Sequence, residues 1–85
     1  MDQIISDFQN FTSSRTNSDQ DCIYMFNKIV DHFTNSVFML EYDKIQIRKA
    51  AITCANNRPS IYQTVKRNLQ EKNEKLFNEL KLPNA

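Results

Sequence analysis

The 85-residue sequence contains no glycine and no tryptophan, and it has only two prolines. Tight hairpin turns, β-bulges and phosphate-binding loops depend on glycine, because its backbone reaches conformations that other residues avoid. Its absence disfavours β-rich folds, P-loops and dinucleotide sites. Six Phe and three Tyr residues still favour a packed core over disorder. The composition predicts a single all-α domain spanning residues 1–85.

Cysteine and histidine are also scarce. Cys22 and Cys54 form no CxxC pair, and the chain shows no signal peptide, so we expect two reduced, buried thiols in a cytoplasmic protein. Together with His32, the only histidine, they lack a fourth metal ligand, and we expect neither a metal site nor a cofactor. Apolar runs such as Val37 to Leu40 are far below the ~18 residues of a membrane span.

An enzyme is not expected from this inventory. No second histidine is present to activate a nucleophile. The carboxylates of the first half are spread over helix surfaces and caps, whereas acid–base catalysis needs them to converge in a cleft. We therefore expect a binding protein.

Helical periodicity predicts a small bundle of four helices, at approximately residues 2–11, 19–41, 44–55 and 60–80. The second helix is the most hydrophobic and is predicted to form the centre of the core. Its apolar stripe comprises Cys22, Phe26, Ile29, Val30, Phe33, Val37 and Leu40. The N-terminal capping signals are Asp2 for the first helix, Ser18 with Asp21 for the second, Asp43 for the third and Ser60 with Gln63 for the fourth.

Several apolar residues exceed what one small core requires. In the third helix Ile45 and Ile52 emerge on a different side from the Ile47 face, which predicts burial between two neighbours, one of them a candidate second subunit. Residues 70–75 are wholly polar and are predicted to project from the core. The further candidate contacts with a partner are Tyr24, Met25, Phe38 and Met39 on the second helix and Leu76, Phe77 and Leu80 at the end of the fourth. We therefore expect a homodimer.

The charge distribution divides the chain into two unlike halves. Residues 1–43 carry seven acids against Arg15 and Lys28, a net charge of −5. Residues 44–85 carry nine bases against three acids, a net charge of +6, and no carboxylate lies between Asp43 and Glu71. This asymmetry indicates a polyanionic partner for the basic half.

The segment Ile47 to Leu69 resembles a helix-turn-helix reader of DNA, with Ala51 in the first helix and Ile61 inside the second. It departs from that motif at Ala55, where glycine is usual, and at Asn56, where an apolar residue normally packs the turn. In the motif the second helix presents its first turn to the major groove. The residues that would then contact DNA are Ser60, Tyr62, Gln63, Lys66 and Arg67.

A second interpretation is that the basic surface binds nucleic acid without placing a helix in the major groove of DNA. Under this interpretation RNA is slightly preferred to duplex DNA. We expect cations over residues 44–67 to contact phosphates, while Tyr62 stacks on an unpaired base and two amides contact base edges. The predicted phosphate contacts are Lys44, Arg48, Lys49, Arg58, Lys66 and Arg67, and the predicted base contacts are Asn57, Tyr62 and Gln63.

Two alternatives remain open from the sequence. The basic half can complement the acidic half internally, with Asp31, Glu41 or Asp43 beside Lys44 or Arg48. The protein can also be a protein–protein interaction module that inhibits or adapts a single host or viral partner through an apolar surface. Salt dependence separates the latter from nucleic-acid binding, because phosphate contacts weaken steeply with salt.

In general character the chain resembles the short accessory proteins of large lytic phages. It is under a hundred residues long, rich in Asn, Lys and Ile, free of Gly and Trp, and without an enzymatic motif. The resemblance implies a regulator or counter-defence factor in the host cytoplasm, which binds an RNA, a DNA or one host protein, for example part of a toxin–antitoxin system. It is compositional and assigns no residue a role.

Overall fold

The computed structural model describes residues 3–35 and 39–84, and over these ranges it is all α-helical, as the composition predicts. Five helices are present in the described ranges, with no strand. They are α1 (Gln3–Ser13), α2 (Asp19–Thr34), α3 (Glu41–Asn57), α4 (Pro59–Lys72) and α5 (Glu74–Leu80).

The fifth helix corrects the prediction of one continuous helix over residues 60–80. Asn73 interrupts it with extended backbone angles (φ −159°, ψ 88°), and its side-chain oxygen accepts a hydrogen bond from the backbone N–H of Leu76 at 3.1 Å. This asparagine cap starts a new helix whose Leu76 and Leu80 are buried in the protein's own core. Both leucines were expected to be available to a partner subunit, and that expectation is wrong.

The boundary between α2 and α3 also differs from the prediction. α2 ends at Thr34, whose hydroxyl donates back to the Val30 carbonyl at 2.7 Å, a contact that competes with regular helix continuation. α3 begins at Glu41, and Leu40 is its N-cap in place of the predicted Asp43. The Asp43 carboxylate accepts a hydrogen bond from the Leu40 N–H at 3.1 Å. Leu40 is 62% exposed, outside the stripe predicted for the second helix.

Local capping chemistry accounts for the other helix starts. The Ser18–Asp21 capping box is confirmed, with Asp21 N–H donating to Ser18 Oγ at 3.1 Å. The Ser60–Gln63 box is wrong, because α4 begins one residue earlier at Pro59, which suits the first helical position. The predicted cap Asp2 and the two apolar residues Val37 and Phe38 lie outside the described residues.

The core is organised around α3, which contacts each of the other four helices. This corrects the expectation that the second helix would be central. Ala50 and Ala51 are fully buried, and their small side chains allow neighbouring helices to approach α3 closely. α2 contributes the predicted apolar stripe as far as Phe33, and Phe8 of α1 packs against Phe26 of α2 with ring centroids 6.4 Å apart.

The two cysteines are buried free thiols, and burial raises the pKa of the Cys54 thiol to about 12. His32 is exposed. Over residues 3–35 and 39–84, His, Cys, Asp and Glu side chains form no group of three that could bind a metal ion. No helix in the same ranges is both long and apolar enough to cross a membrane.

Candidate functional site

Tyr62, predicted to stack on an unpaired base, is a core residue in the structure. Its side chain is 2% exposed, and its hydroxyl donates to the Pro83 carbonyl at 2.6 Å. Burial raises the pKa of this phenol. The Lys66 ammonium lies 4.6 Å from the ring centroid, so one face of the ring is already covered by a cation. In this arrangement the ring offers no free face to a base.

The segment after α5 occupies further predicted phosphate contacts. Lys66 is 8% exposed and donates to the Pro83 carbonyl at 3.3 Å. Arg48 donates through Nε to the Leu80 carbonyl at 3.1 Å. Two basic side chains of the predicted surface therefore bind backbone carbonyls of α5 and of the segment after it.

Lys44 is held by ion pairs with Glu79, in the last turn of α5, and with Glu41, in the first turn of α3. Its ammonium lies 2.9 Å from the Glu79 carboxylate and 3.7 Å from that of Glu41. The hydrogen bond between Lys44 and Glu79 raises the pKa of the lysine and lowers the pKa of the glutamate. The charge of Lys44 is thus compensated within the chain.

Arg58 fastens the loop between α1 and α2, and Asn57 binds the end of α1. The Arg58 side chain is only 16% exposed. It donates to the carbonyls of Thr12 at 2.9 Å, Ser14 at 2.6 Å and Asn17 at 2.8 Å, and to the Asp19 carboxylate at 2.9 Å. The Asn57 amide donates to Thr12 Oγ1 at 2.9 Å. Both residues have a structural task that accounts for their position.

The helix-turn-helix resemblance weakens at the level of geometry. Arg58 alone connects α3 to α4, whereas the motif uses a turn of about 3–4 residues. In the first turn of α4, Ser60 Oγ donates to the Asp19 carboxylate at 3.2 Å, and Tyr62 points into the core. Of the nine predicted binding residues, the side chains of Lys49, Gln63 and Arg67 are exposed and have no contact described above.

A different surface stands out on the outer face of α3. Tyr42, Ile45, Lys49, Ile52 and Asn56 follow one another at alternating spacings of three and four residues, which places them along one side of the helix. Tyr42 is 50% exposed and Ile45 is 48% exposed. We call this set the α3 outer stripe. It confirms that α3 has a second apolar side, distinct from the one in the core.

The α3 outer stripe borders a groove between α1 and α3, with a volume of about 490 Å³. We call this the α1–α3 groove. Its lining comprises Ile5 and Gln9 from α1 and Ile45, Gln46, Arg48, Lys49, Ile52, Thr53 and Asn56 from α3. The lining combines three isoleucines with amides and a hydroxyl, it carries two cations, and none of these lining residues is acidic.

Gln46 gives the groove a buried hydrogen-bond acceptor. Its side chain is 3% exposed, and its Oε1 has no hydrogen-bond partner. The other such oxygen among the described residues is Asn27 Oδ1, on α2 and outside the groove lining. Thr53 is also buried, but its hydroxyl donates to the Lys49 carbonyl at 2.9 Å. An unpaired buried acceptor is unusual, because leaving it unsatisfied costs about 1–3 kcal/mol.

A polar recess of about 470 Å³ adjoins the groove and shares Asn56 with it. It is lined by Thr12, Ser13, Arg15, Asn56, Asn57 and Arg58. Arg15 therefore adds a cation beyond the end of the groove. Together the two depressions combine three isoleucines with four cations, of which Arg48 and Lys49 line the groove and Arg15 and Arg58 line the recess.

Sequence reasoning identified Ile45 and Ile52 but missed Gln46 and Gln9. One signal was readable for Gln46, since it stands four residues before Ala50 and therefore on the core side of α3. A glutamine at such a position is expected to be buried and to need a partner. Gln9 carried no comparable signal, because the pairing of α1 with α3 joins residues distant in the sequence.

Comparison of the chain with protein-family models, with curated proteins and with solved structures found no match. The functional argument therefore depends on the surface of the molecule.

Proposed function

We propose that this protein is a protein–protein interaction module, without enzymatic activity, that binds one partner through the α1–α3 groove. The observation that carries the proposal is the second apolar side of α3. Ile45 remains 48% exposed and Ile52 half-buried beside Ile5, although the opposite side of the same helix fills the core. An apolar centre with a polar, charged edge is the usual anatomy of a protein interface.

The internal contacts of the basic residues also support this proposal. Lys44, Arg58 and Lys66 already bind Glu79, the α1–α2 loop and Pro83 respectively. If these side chains bound phosphates instead, the hydrogen bonds with which they stabilise the fold would be broken. The action that follows is inhibition or adaptation of a single partner, in keeping with the regulatory role implied by the resemblance to phage accessory proteins.

Nucleic-acid binding, with RNA preferred to duplex DNA, is the second candidate. The observation that favours it is the absence of acids from the groove lining, together with the exposure of Arg48 and Lys49 and the presence of Arg15 nearby. The exposed residues Gln63 and Arg67 on α4 belong to the same prediction. Such binding would depend on phosphates and would weaken steeply with salt.

The test of the proposed function is whether the groove selects peptides. Purified protein is panned against a displayed library of helical peptides of about 18 residues, roughly the length of α3. We expect enriched peptides whose binding is lost on Ile45→Glu and on Ile52→Glu but retained on Arg67→Glu, a matched exposed substitution on α4. Circular dichroism verifies that each variant remains helical. Enrichment that ignores both groove variants would contradict the proposal.

Nucleic acid is followed in the same preparation. The 260/280 nm absorbance ratio is read before and after a high-salt wash, with RNase and DNase digestion to identify any bound species. Because the chain has no Trp, a small amount of nucleic acid dominates this ratio. RNase-sensitive material that is lost on Lys49→Glu with Arg67→Glu would favour the second candidate instead.

A further inference from the structure

The α1–α3 groove presents a specific set of groups to whatever occupies it. Ile45 and Ile52 are seven residues apart, about two helical turns and roughly 10 Å along the axis of α3. Apolar residues on one side of a partner helix recur at the same interval, at i, i+3 or i+4, and i+7. The spacing therefore suits a helix lying along α3, and less well an extended strand, whose side chains alternate every ~7 Å on one face.

The charges of the groove determine the kind of helix. Arg48 and Lys49 border the groove, Arg15 lies in the adjoining recess, and the groove lining includes no carboxylate. A helix with Asp or Glu beside its apolar stripe would place those acids against these cations. Opposite charges across an interface guide association and exclude partners of the wrong sign.

Self-association through the same stripe is disfavoured by Lys49. It lies between Ile45 and Ile52 on the α3 outer stripe, so two antiparallel copies of α3 that match Ile45 with Ile52 would bring Lys49 against its symmetry mate. Two like charges at the centre of an interface oppose its formation. The occupant that fits the charge is therefore a different chain.

Gln46 adds a requirement for a hydrogen-bond donor. Its buried Oε1 has no partner in the free protein. Backbone N–H groups inside a helix are already bonded to their own carbonyls, so a docked helix would satisfy this oxygen through an amide or hydroxyl side chain, once the Gln46 side chain turns its Oε1 from the buried position towards the groove. Satisfying an acceptor that is already desolvated contributes to affinity without a new desolvation cost on that side.

We propose, on the basis of the function proposed above, that the partner segment is an acidic amphipathic helix that donates a side-chain hydrogen bond to Gln46 Oε1. Ile5, Ile45 and Ile52 receive its apolar residues, and Arg48 and Lys49 face its carboxylates. Gln46 sets the specificity, because a helix that buries only apolar groups at this point leaves the acceptor unpaired.

The experiment uses the peptides enriched on the intact protein. We expect them to carry Asp or Glu beside an i, i+3 or i+4, i+7 apolar pattern, with one Asn, Gln, Ser or Thr within that pattern. Dissociation constants are then measured for each peptide and for an analogue in which that polar residue is replaced by Leu. Gln46→Leu is expected to weaken the parent peptide about tenfold and the analogue much less, as for a single hydrogen bond.

Two control variants separate specificity from general effects. Gln63→Leu makes the same change at an exposed position of α4 and is expected to leave affinity unchanged. Lys49→Glu is expected to weaken acidic peptides at least fivefold and to favour basic ones, whereas Arg67→Glu has no effect.

Each alternative result has a definite meaning. Groove-dependent peptides that are neutral or basic, or that ignore Gln46→Leu, would overturn the acidic-helix proposal and leave the proposed function standing. Absence of any groove-dependent peptide would overturn both. If the protein forms a dimer that Ile45→Glu dissociates, the occupant of the groove is a second copy of this chain. If the protein retains RNA and loses it on substitution of Lys49, the occupant is a nucleic acid. Either result overturns this proposal.

Discussion

Gln46 has a buried, unpaired acceptor. Its side chain therefore affects both the stability of the fold and the binding properties of the groove. A buried polar atom without a partner destabilises the folded protein, and such features persist where binding requires them. Gln46→Leu keeps a similar volume and removes the unpaired oxygen. We expect the free energy of unfolding to rise by about 1 kcal/mol, as measured by urea denaturation. A lower stability would show that the amide is satisfied in the free protein.

Arg58 has the opposite role, since its side chain donates to the end of α1, to the loop that follows and to the first residue of α2. Replacing it by Met leaves three carbonyls and one oxygen of the Asp19 carboxylate without this donor. We expect a loss of about 2–4 kcal/mol in the free energy of unfolding. Arg67→Met, at an exposed position of α4, is the matched control and should change stability by less than about 0.5 kcal/mol. Equal effects of the two substitutions would contradict this role.

The buried Cys54 thiol makes the free energy of unfolding depend on pH in the alkaline range. Its thiol has a pKa of about 12 in the folded protein because of burial, against an ordinary value of 9.0. The folded state therefore keeps a proton that the unfolded chain releases, and the free energy of unfolding falls as pH rises from 9 towards 12. Urea midpoints measured across this interval should decline. Cys54→Ala should flatten the decline without abolishing it, since burial also raises the pKa of Cys22 and Tyr62.

At the scale of elements, the end of α5 and the segment after it act as a strap across α3 and α4. The Pro83 carbonyl accepts from both Tyr62 and Lys66, and the Leu80 carbonyl accepts from Arg48. Lys81 adopts a left-handed backbone (φ 51°), which ends α5 and turns the chain towards these donors. Leu82 is partly buried against the core. The strap thus holds together residues that the sequence alone assigned to an open basic surface.

A chain ending at Leu80 tests the strap directly. Removing Pro83 takes away the acceptor shared by Tyr62 and Lys66, and we expect the free energy of unfolding to fall by about 1–3 kcal/mol. If the Tyr62 hydroxyl carries this effect, truncation should cost less in a Tyr62→Phe background. The same loss in both backgrounds would assign the effect to Leu82 packing.

Local features of the elements could be predicted from the sequence, and long-range ones could not. The Ser18–Asp21 box, the α2 stripe and the second side of α3 follow from short spacings. The interruption at Asn73 depends on how Leu76 and Leu80 reach the core, which is a tertiary effect.

The same limit applies to the candidate site. The groove isoleucines Ile45 and Ile52 were predictable from helix periodicity. The partners of Arg58 and Tyr62 were not, because they lie 39 to 46 and 21 positions away in the sequence. A basic or aromatic residue therefore indicates a binding surface only when its internal contacts are known.

At the scale of the whole molecule, the opposite charges of the two halves are partly matched inside the protein. Arg58 pairs with Asp19 at 2.9 Å, Lys72 with Asp31 at 2.7 Å and Lys44 with Glu41 at 3.7 Å, so three ion pairs among the described residues join the basic half to the acidic half. Lys44 also pairs with Glu79 of its own half. The pairs made by Lys44 and Lys72 are exposed enough to contribute little stability, whereas the Arg58 side chain is largely buried. The ion pairs reduce the number of cations that are available to a partner. Arg48 and Lys49 remain exposed beside the groove.

The association state belongs to this scale as well, and the expected homodimer stays a prediction. The α3 outer stripe offers an exposed apolar surface for a dimer, but Lys49 at its centre opposes such contact. We therefore expect any dimerisation through this stripe to strengthen on Lys49→Ala, as measured by light scattering during size-exclusion chromatography. A dimer insensitive to both Lys49→Ala and Ile45→Glu would have to use another face.

The most direct test of the central claim is the affinity of an enriched helical peptide for the intact protein and for Ile45→Glu, measured at ~50 and ~200 mM salt. We expect the peptide to bind the intact protein at both salt concentrations, with only a modest loss at the higher one, and to lose at least tenfold on Ile45→Glu. Equal affinity for the two proteins would contradict the groove as a docking site. A loss of about 10³-fold or more with salt would instead indicate a phosphate-binding type of surface.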